Sequence, residues 1–178
     1  EGGTTTTPFD AGDNDPHATI GCEPSHGPFL GGDRVLVRGK GFGADVRVSA
    51  TFYRDRGDEA RVQQIPFSRD VQGLADVMAR VHAEGGDDYP EDMNAGLEAA
   101  MNRLNWSNGA ATRAIVLIAD APPHRYRDEP YDYRTALREA ARRGIRIVPV
   151  AASGADANVE YLFRAMGAFT STPYVYLT

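Results

Sequence analysis

The stretch that decides the fold is Ile115-Val116-Leu117-Ile118-Ala119-Asp120-Ala121-Pro122-Pro123-His124, an apolar run followed by a carboxylate, two prolines and a histidine. A continuous apolar run between turn residues is typical of a parallel strand that is buried on both faces. Open α/β sheets bind ligands at the carboxyl ends of such strands. Asp120 is therefore the leading functional candidate, although its position equally suits a carboxylate that caps the turn. His124 is a candidate metal ligand or general base, and its proline-stiffened loop also favours a structural role.

Strand and helix patterns alternate on both sides of this stretch. The predicted strands are 34–38, 46–53, 61–67, 113–119, 145–150 and 174–177, and the predicted helices are 71–81, 90–104, 133–143 and 158–166. Parallel strands that are joined through helices form right-handed crossovers. We therefore expect an α/β fold, with a doubly wound, mainly parallel sheet, helices on both faces and a short N-terminal β segment.

The N-terminal quarter of the chain has a different composition. Residues 1–18 are rich in Thr, Gly, Asp and Pro, with Phe9 as the only large apolar side chain, so we expect a flexible linker. Residues 19–44 carry β signals interrupted by Gly and Pro, which predict short strands. The α/β pattern occupies residues 45–178, which we expect to form the main domain.

Charge and cysteine content exclude several classes of function. A net charge of -6 leaves no basic excess to neutralise phosphates, so we expect no nucleic-acid partner. The single cysteine, Cys22, excludes an internal disulfide and a thiolate metal cluster. No apolar segment is long enough to span a bilayer, so we expect no transmembrane segment.

An acidic segment, Gly85-Gly86-Asp87-Asp88-Tyr89-Pro90-Glu91-Asp92, precedes the second predicted helix. Carboxylates suit a helix start because the helix dipole favours negative charge there. The same carboxylates repel one another, and Mg²⁺ or Ca²⁺ would relieve that repulsion while taking its preferred oxygen ligands. A helix cap and a metal site are compatible interpretations. The candidate metal ligands of the chain are Asp87, Asp88 and Asp120, with Glu91 and His124 as additional candidates.

The remaining motifs favour structural interpretations. Arg56-Gly57-Asp58 matches an adhesion tripeptide, but a charged hairpin turn is the simpler explanation. Arg138, Arg142 and Arg143 fall in the last turns of a predicted helix, where cations suit the dipole and a solvated face is expected. Neither a Gly-x-Ser-x-Gly elbow nor a phosphate-binding Gly-rich loop occurs, so covalent and phosphoryl-transfer chemistry are not expected.

Several further motifs follow one another along the chain. They are Phe52-Tyr53-Arg54-Asp55, Gly85-Gly86-Asp87-Asp88-Tyr89-Pro90-Glu91, Ala119-Asp120-Ala121-Pro122-Pro123-His124, Gly144-Ile145-Arg146-Ile147-Val148-Pro149-Val150 and Glu160-Tyr161-Leu162-Phe163-Arg164. In this order they resemble the von Willebrand factor type A (VWA) domain, over about residues 46–178. The resemblance implies a doubly wound, Rossmann-like sheet. It also implies a non-enzymatic protein-binding or adhesion module, located outside the cell or in the cell envelope.

Members of this family bind protein ligands through a metal-ion-dependent adhesion site (MIDAS). A divalent ion there, Mg²⁺ or else Ca²⁺ or Mn²⁺, bridges to a carboxylate of the partner. The resemblance assigns Asp88, or else Asp87, to the second loop of the site and Asp120 to the third. The family's first loop, Asp-x-Ser-x-Ser, supplies the direct ligands and has no counterpart in this sequence. The resemblance therefore implies a protein ligand and an incomplete metal site.

The segment that precedes the VWA-like region resembles the beginning of a TIG (IPT) domain. The matching residues are Pro24-Ser25-His26-Gly27-Pro28, Gly31-Gly32-Asp33-Arg34-Val35-Leu36-Val37-Arg38-Gly39 and Gly41-Phe42-Gly43. By family strand order, the missing first strand of the VWA-like region would lie in the middle of the sheet. Since unpaired backbone there would be costly, we expect 34–38 or a neighbouring β segment to fill that place, beside 46–53 and 113–119.

A metal-dependent hydrolase is the alternative function. It would use Asp88, Glu91, Asp120 and His124, with a metal-bound water as the nucleophile. That mechanism requires all of these groups to converge on one point, whereas convergence of Asp88 and Asp120 alone favours adhesion. A purely structural role is a third interpretation, because the first loop is absent.

Overall fold

The computed structural model describes residues 6–8, 19–23, 36–39, 46–58, 60–81, 89–152 and 154–177. The chain divides into two compact units. Unit 1 comprises Glu1–Ala44, Thr112–Asp120 and Gly144–Thr178, and unit 2 comprises Asp45–Ala111 and Ala121–Arg143. Among the described residues, no helix is both long and apolar enough to cross a membrane.

Strands and helices alternate from the middle of the chain onward. In chain order the elements are β1 (Thr6–Pro8), β2 (Thr19–Glu23), β3 (Leu36–Gly39), β4 (Val48–Tyr53), β5 (Val62–Ser68), α1 (Val71–Met78), α2 (Met93–Asn102), β6 (Arg113–Ala119), α3 (Tyr133–Arg143), β7 (Ile145–Ala151), α4 (Ala157–Phe169) and β8 (Val175–Tyr176). The described strands form three sheets, with the orders β1-β2-β3, β4-β5 and β6-β7-β8.

A three-stranded parallel sheet lies in unit 1. The apolar strand β6 pairs in parallel with β7 along its whole length, from Arg113 opposite Ile145 to Ala119 opposite Ala151. β8 extends the sheet in parallel on the other edge of β7. α4 packs against β7 and contributes buried side chains, Val159, Phe163 and Met166. The mixed α/β architecture with a parallel sheet is therefore confirmed.

Unit 2 is built around α2, which packs against β4, β5 and α3. β4 and β5 form the antiparallel hairpin that the sequence predicts. Almost every residue of α2 is buried, and Gly96 allows the helix to approach Tyr53 of β4 closely. A Cβ atom at Gly96 would lie 2.5 Å from Cδ1 of Tyr53. The close contact between helix and hairpin therefore depends on the absence of a side chain at this position.

One expectation for the N-terminal region is wrong. Within the predicted linker, Thr6–Pro8 forms β1 and pairs antiparallel with β2, and the linker itself stays a prediction. The described part of the segment at 34–38 belongs to β3, which also pairs antiparallel with β2. Its sheet contains neither β4 nor β6, so this strand does not fill the expected place beside them. Local antiparallel pairing with β2 satisfies the β3 backbone along one edge instead.

Candidate functional site

Asp120 lies at the carboxyl end of the parallel strand pair in unit 1. The backbone N–H of Ala152 donates a hydrogen bond of 2.9 Å to the carbonyl of Ala119, so the pairing of β6 with β7 continues to the strand end. Asp120 follows directly and is exposed. This is the position at which open parallel sheets present ligand-binding groups.

The other predicted metal ligands are described only in part. Asp87 and Asp88 lie outside the described residues. Asp120 belongs to unit 1, whereas Glu91 and His124 belong to unit 2. Across the ranges that the structure describes, no three His, Cys, Asp or Glu side chains are grouped so that they could hold a metal ion.

Glu91 and His124 are brought together through their backbones. The N–H of Glu91 donates to the carbonyl of Pro122, and the N–H of His124 donates to the carbonyl of Glu91, both at 3.0 Å. Glu91 and Pro123 consequently form a short parallel bridge. The acidic turn before α2 and the proline-rich loop after Asp120 are thus joined by main-chain hydrogen bonds.

The imidazole of His124 is held by a carboxylate and an aromatic ring. Its Nε2 lies 3.2 Å from Oδ2 of Asp55, and its ring stacks on Tyr126 with centroids 4.7 Å apart. The hydroxyl of Tyr126 donates a 2.7 Å hydrogen bond to Oδ1 of Asp55. These contacts support the structural interpretation of His124 that the sequence left open beside the metal-ligand one.

The protonation states of Asp55 and Tyr126 suit this arrangement. Burial raises the pKa of Asp55, but hydrogen bonds from the Tyr126 hydroxyl and the Arg56 backbone, together with nearby His124, bring that pKa below its usual value. Burial and the hydrogen bond to Asp55 raise the pKa of the Tyr126 phenol. At neutral pH the phenol is therefore a donor and Asp55 an ionised acceptor.

A second group, the arginine–carboxylate cluster, consists of Arg56, Arg61, Asp92 and Glu129. Nε of Arg61 donates to Oδ2 of Asp92, and its Nη2 donates to Oε1 of Glu129 at 3.0 Å. Nη2 of Arg56 lies 3.5 Å from the same Glu129 oxygen. Asp92 is 0% exposed and is also the N-cap of α2, because its Oδ1 accepts the N–H of Ala95. The hydrogen bond to Asp92 raises the pKa of Arg61.

Asn94 connects this cluster to the loop between β6 and α3. Its buried amide nitrogen donates to the carbonyl of His124 and to Oε2 of Glu129, each at 3.1 Å. Its amide oxygen accepts the N–H of Tyr133 at 2.9 Å. The start of α2 therefore anchors both the proline-rich loop and the first turn of α3.

Sequence patterns did not identify Arg61, Asn94 or Glu129. Arg61 meets Asp92 across 31 residues and Glu129 across 68 residues, so no local period marks these contacts. The one available signal was the placement of Asp92 at a predicted helix start, which indicates a cap but does not reveal its arginine partner.

The adhesion-like tripeptide that begins at Arg56 is a turn within the protein. Gly57 has a φ of 104°, a conformation that favours glycine. Arg56 donates to both carboxylate oxygens of Asp128, at 3.0 and 3.2 Å, and its guanidinium carbon lies 3.6 Å from the centroid of the Tyr126 ring. The arginine is thus engaged by residues of its own chain, as expected of a charged hairpin turn.

No protein-family model matches the chain, and the comparisons with curated proteins and with solved structures also find no match. The described residues offer an exposed carboxylate, Asp120, at a strand end in unit 1. Unit 2 separately contains a polar loop whose side chains are held by hydrogen bonds and ring contacts.

Proposed function

We propose that the chain is a non-enzymatic, protein-binding module of the VWA type, with an incomplete metal-ion-dependent adhesion site that includes Asp120. The observation that carries the proposal is the exposed carboxylate of Asp120 at the carboxyl end of the parallel β6–β7 pair. The order of the five family-like motifs supports a doubly wound sheet of this type. We also propose that it acts outside the cell or in the cell envelope, the location that the resemblance implies.

Asp120 suits a hard divalent cation because Mg²⁺, Ca²⁺ and Mn²⁺ prefer oxygen ligands. The described residues fit such an ion only in part, since they group no three candidate ligands together. The remaining ligand that the resemblance assigns, Asp88 or Asp87, lies outside the described residues and stays a prediction. With few protein ligands such an ion would be held weakly, and a carboxylate of a protein partner would supply a further oxygen ligand.

The hydrolase alternative has less support. The His124 ring is engaged by Asp55 and Tyr126, and Glu91 joins the proline-rich loop through its backbone. The contacts of the His124 ring account for that residue without a catalytic role, whereas those of Glu91 involve its backbone alone. Convergence of Asp88, Glu91, Asp120 and His124 on one point stays a prediction.

Calorimetric titration with Mg²⁺, Ca²⁺ and Mn²⁺ tests the proposal. We expect weak, saturable binding with a Kd of about 1 mM, in the range of extracellular cation modules. The Asp120→Ala variant should lose the binding heat. Asp76→Ala is the matched control, because Asp76 is an exposed carboxylate on α1 that accepts a hydrogen bond of 2.8 Å from the Gln72 amide. No heat in the wild type, or equal heat in Asp120→Ala, would contradict the proposal.

A further inference from the structure

The solvent face of α3 carries a row of arginines. Arg134, Arg138 and Arg142 are spaced four residues apart and all are exposed. The opposite face of the helix packs into unit 2 through buried residues, Ala136, Leu137 and Ala140. At a rise of 1.5 Å per residue this arginine stripe is about 12 Å long.

The charges of the stripe are poorly compensated within the described part of the chain. Arg134 pairs with Asp132 at 3.4 Å, but Arg138 contacts only the Thr135 hydroxyl at 3.2 Å, and neither Arg138 nor Arg142 forms an ion pair there. Glu139 is the only acidic residue of α3. Its carboxylate accepts the hydroxyl of Tyr131 at 2.9 Å, and within the described residues it forms no ion pair with the arginines of the stripe.

Helix stability accounts for only part of this row of charges. Arg142 lies in the last turn, where a cation suits the helix dipole. Like charges at a spacing of four residues destabilise a helix, however, and the cation of Arg134 in the first turn opposes the dipole. Arg143 shows the contrasting case, because it is half-buried and donates to the carbonyl of Met101 at 2.6 Å. The stripe is therefore better explained by something that it binds than by the helix that carries it.

We propose that the arginine stripe is the docking surface for an acidic protein segment whose carboxylates are spaced one helical turn apart. The planar guanidinium group forms two parallel hydrogen bonds with a carboxylate, which favours this partner chemistry. The net charge of -6 opposes the many charges of nucleic acid or of an anionic membrane more than the few carboxylates of a short acidic segment. This contact needs neither Asp120 nor a metal ion, so it goes beyond the function proposed above.

Fluorescence anisotropy with a labelled helical peptide tests the inference. The probe carries Glu at three positions four residues apart, and a control peptide carries Gln at the same positions. Measurements are made at low salt with EDTA present, which separates this contact from the metal-dependent one. We expect the wild-type protein to bind the Glu peptide, with an affinity that falls as salt is added.

A double variant, Arg138→Gln with Arg142→Gln, should weaken binding of the Glu peptide by about tenfold, the loss expected for two exposed ion pairs. Its melting temperature should be equal to or above that of the wild type, because like-charge repulsion is removed. The matched control is Arg103→Gln with Arg164→Gln, since those side chains are also exposed, at 57% and 61%. The control should bind like the wild type.

Several results would overturn the inference. They are no binding of the Glu peptide, equal binding of the Gln peptide, or an unchanged affinity in the Arg138→Gln, Arg142→Gln variant. Tighter binding of duplex DNA or of phosphatidylserine vesicles through the same arginines would replace the acidic protein segment with another class of partner. Loss of metal binding in Asp120→Ala leaves this test unaffected.

Discussion

Replacement of Asp92 by alanine removes two hydrogen bonds at the start of α2. The Asp92 carboxylate is fully buried, caps α2 by accepting the N–H of Ala95, and accepts a hydrogen bond from Nε of Arg61. Because one side chain serves both purposes, its loss affects the helix end and the arginine–carboxylate cluster together. We expect Asp92→Ala to be among the most destabilising single substitutions at a polar residue of unit 2.

The expected loss of unfolding free energy follows from these two contacts. Loss of an N-cap costs about 1 kcal/mol. Loss of a hydrogen bond between charged groups costs about 2 kcal/mol. Arg61 is 41% exposed and can hydrate once it is released, so the full penalty of a buried unpaired charge does not apply. The sum predicts a loss of about 3 kcal/mol.

Urea unfolding followed by the fluorescence of Trp106 measures this loss. Trp106 is the only tryptophan, and in unit 2 it packs against Phe67 with ring centroids 5.0 Å apart. The matched control is Asp70→Ala, because Asp70 caps α1 through the N–H of Gly73 at 2.8 Å. That control should lose only about 1 kcal/mol. Equal losses in the Asp92 and Asp70 variants would refute the contribution assigned to Arg61.

Three further substitutions test the fold. Asp55→Asn should reduce the loss of unfolding free energy on acidification. The pKa of Asp55 is lowered on folding, so its contribution to the free energy of unfolding is complete above about pH 4 and is lost as the pH falls through the folded-state pKa. Equal slopes for variant and wild type in acidic urea titrations would contradict this. Gly96→Ala should destabilise unit 2 by about 2 kcal/mol in the same urea assay, since its Cβ would overlap the Tyr53 ring. A variant as stable as the wild type would contradict the close approach of α2 to Tyr53. Gly144→Ala should lower the free energy of unfolding by about 1 kcal/mol, because alanine is strained at the φ of 63°. Nothing lies within 4 Å of the new Cβ, so the backbone strain is the whole expected effect. An unchanged midpoint of urea unfolding would contradict it.

Sequence patterns predicted the elements that have strong local signals. The bounds of α3 and β6 are confirmed, because α3 has an amphipathic period and ends at a glycine, and β6 is a continuous apolar run. α2 begins at Met93 rather than at residue 90, because the side chain of Asp92 supplies the cap. The spacing of apolar residues predicts the buried face of a helix, but the first residue of the helix depends on which polar side chain accepts its free N–H groups.

Contacts between residues that are distant in the chain could not be predicted from sequence patterns. The cluster around Asp92 joins a hairpin, a helix start and a loop, and nothing in the spacing of Arg61, Asn94 and Glu129 marks their meeting. The pairing of β3 with β2 was missed for a similar reason, because a short strand carries no signal that selects its neighbour. The place of Asp120 was predicted, because it requires only the end of one apolar strand.

Nuclear magnetic resonance during a Mn²⁺ titration tests the central claim most directly, because the paramagnetic ion broadens the amide signals closest to it. The proposal predicts that the amides of Asp120 and of Ala152, which pairs with the end of β6, broaden first in the wild type and are spared in Asp120→Ala. Broadening that begins instead at the exposed carboxylate of Asp76, or that is unchanged in Asp120→Ala, would contradict a metal-dependent site at the end of β6.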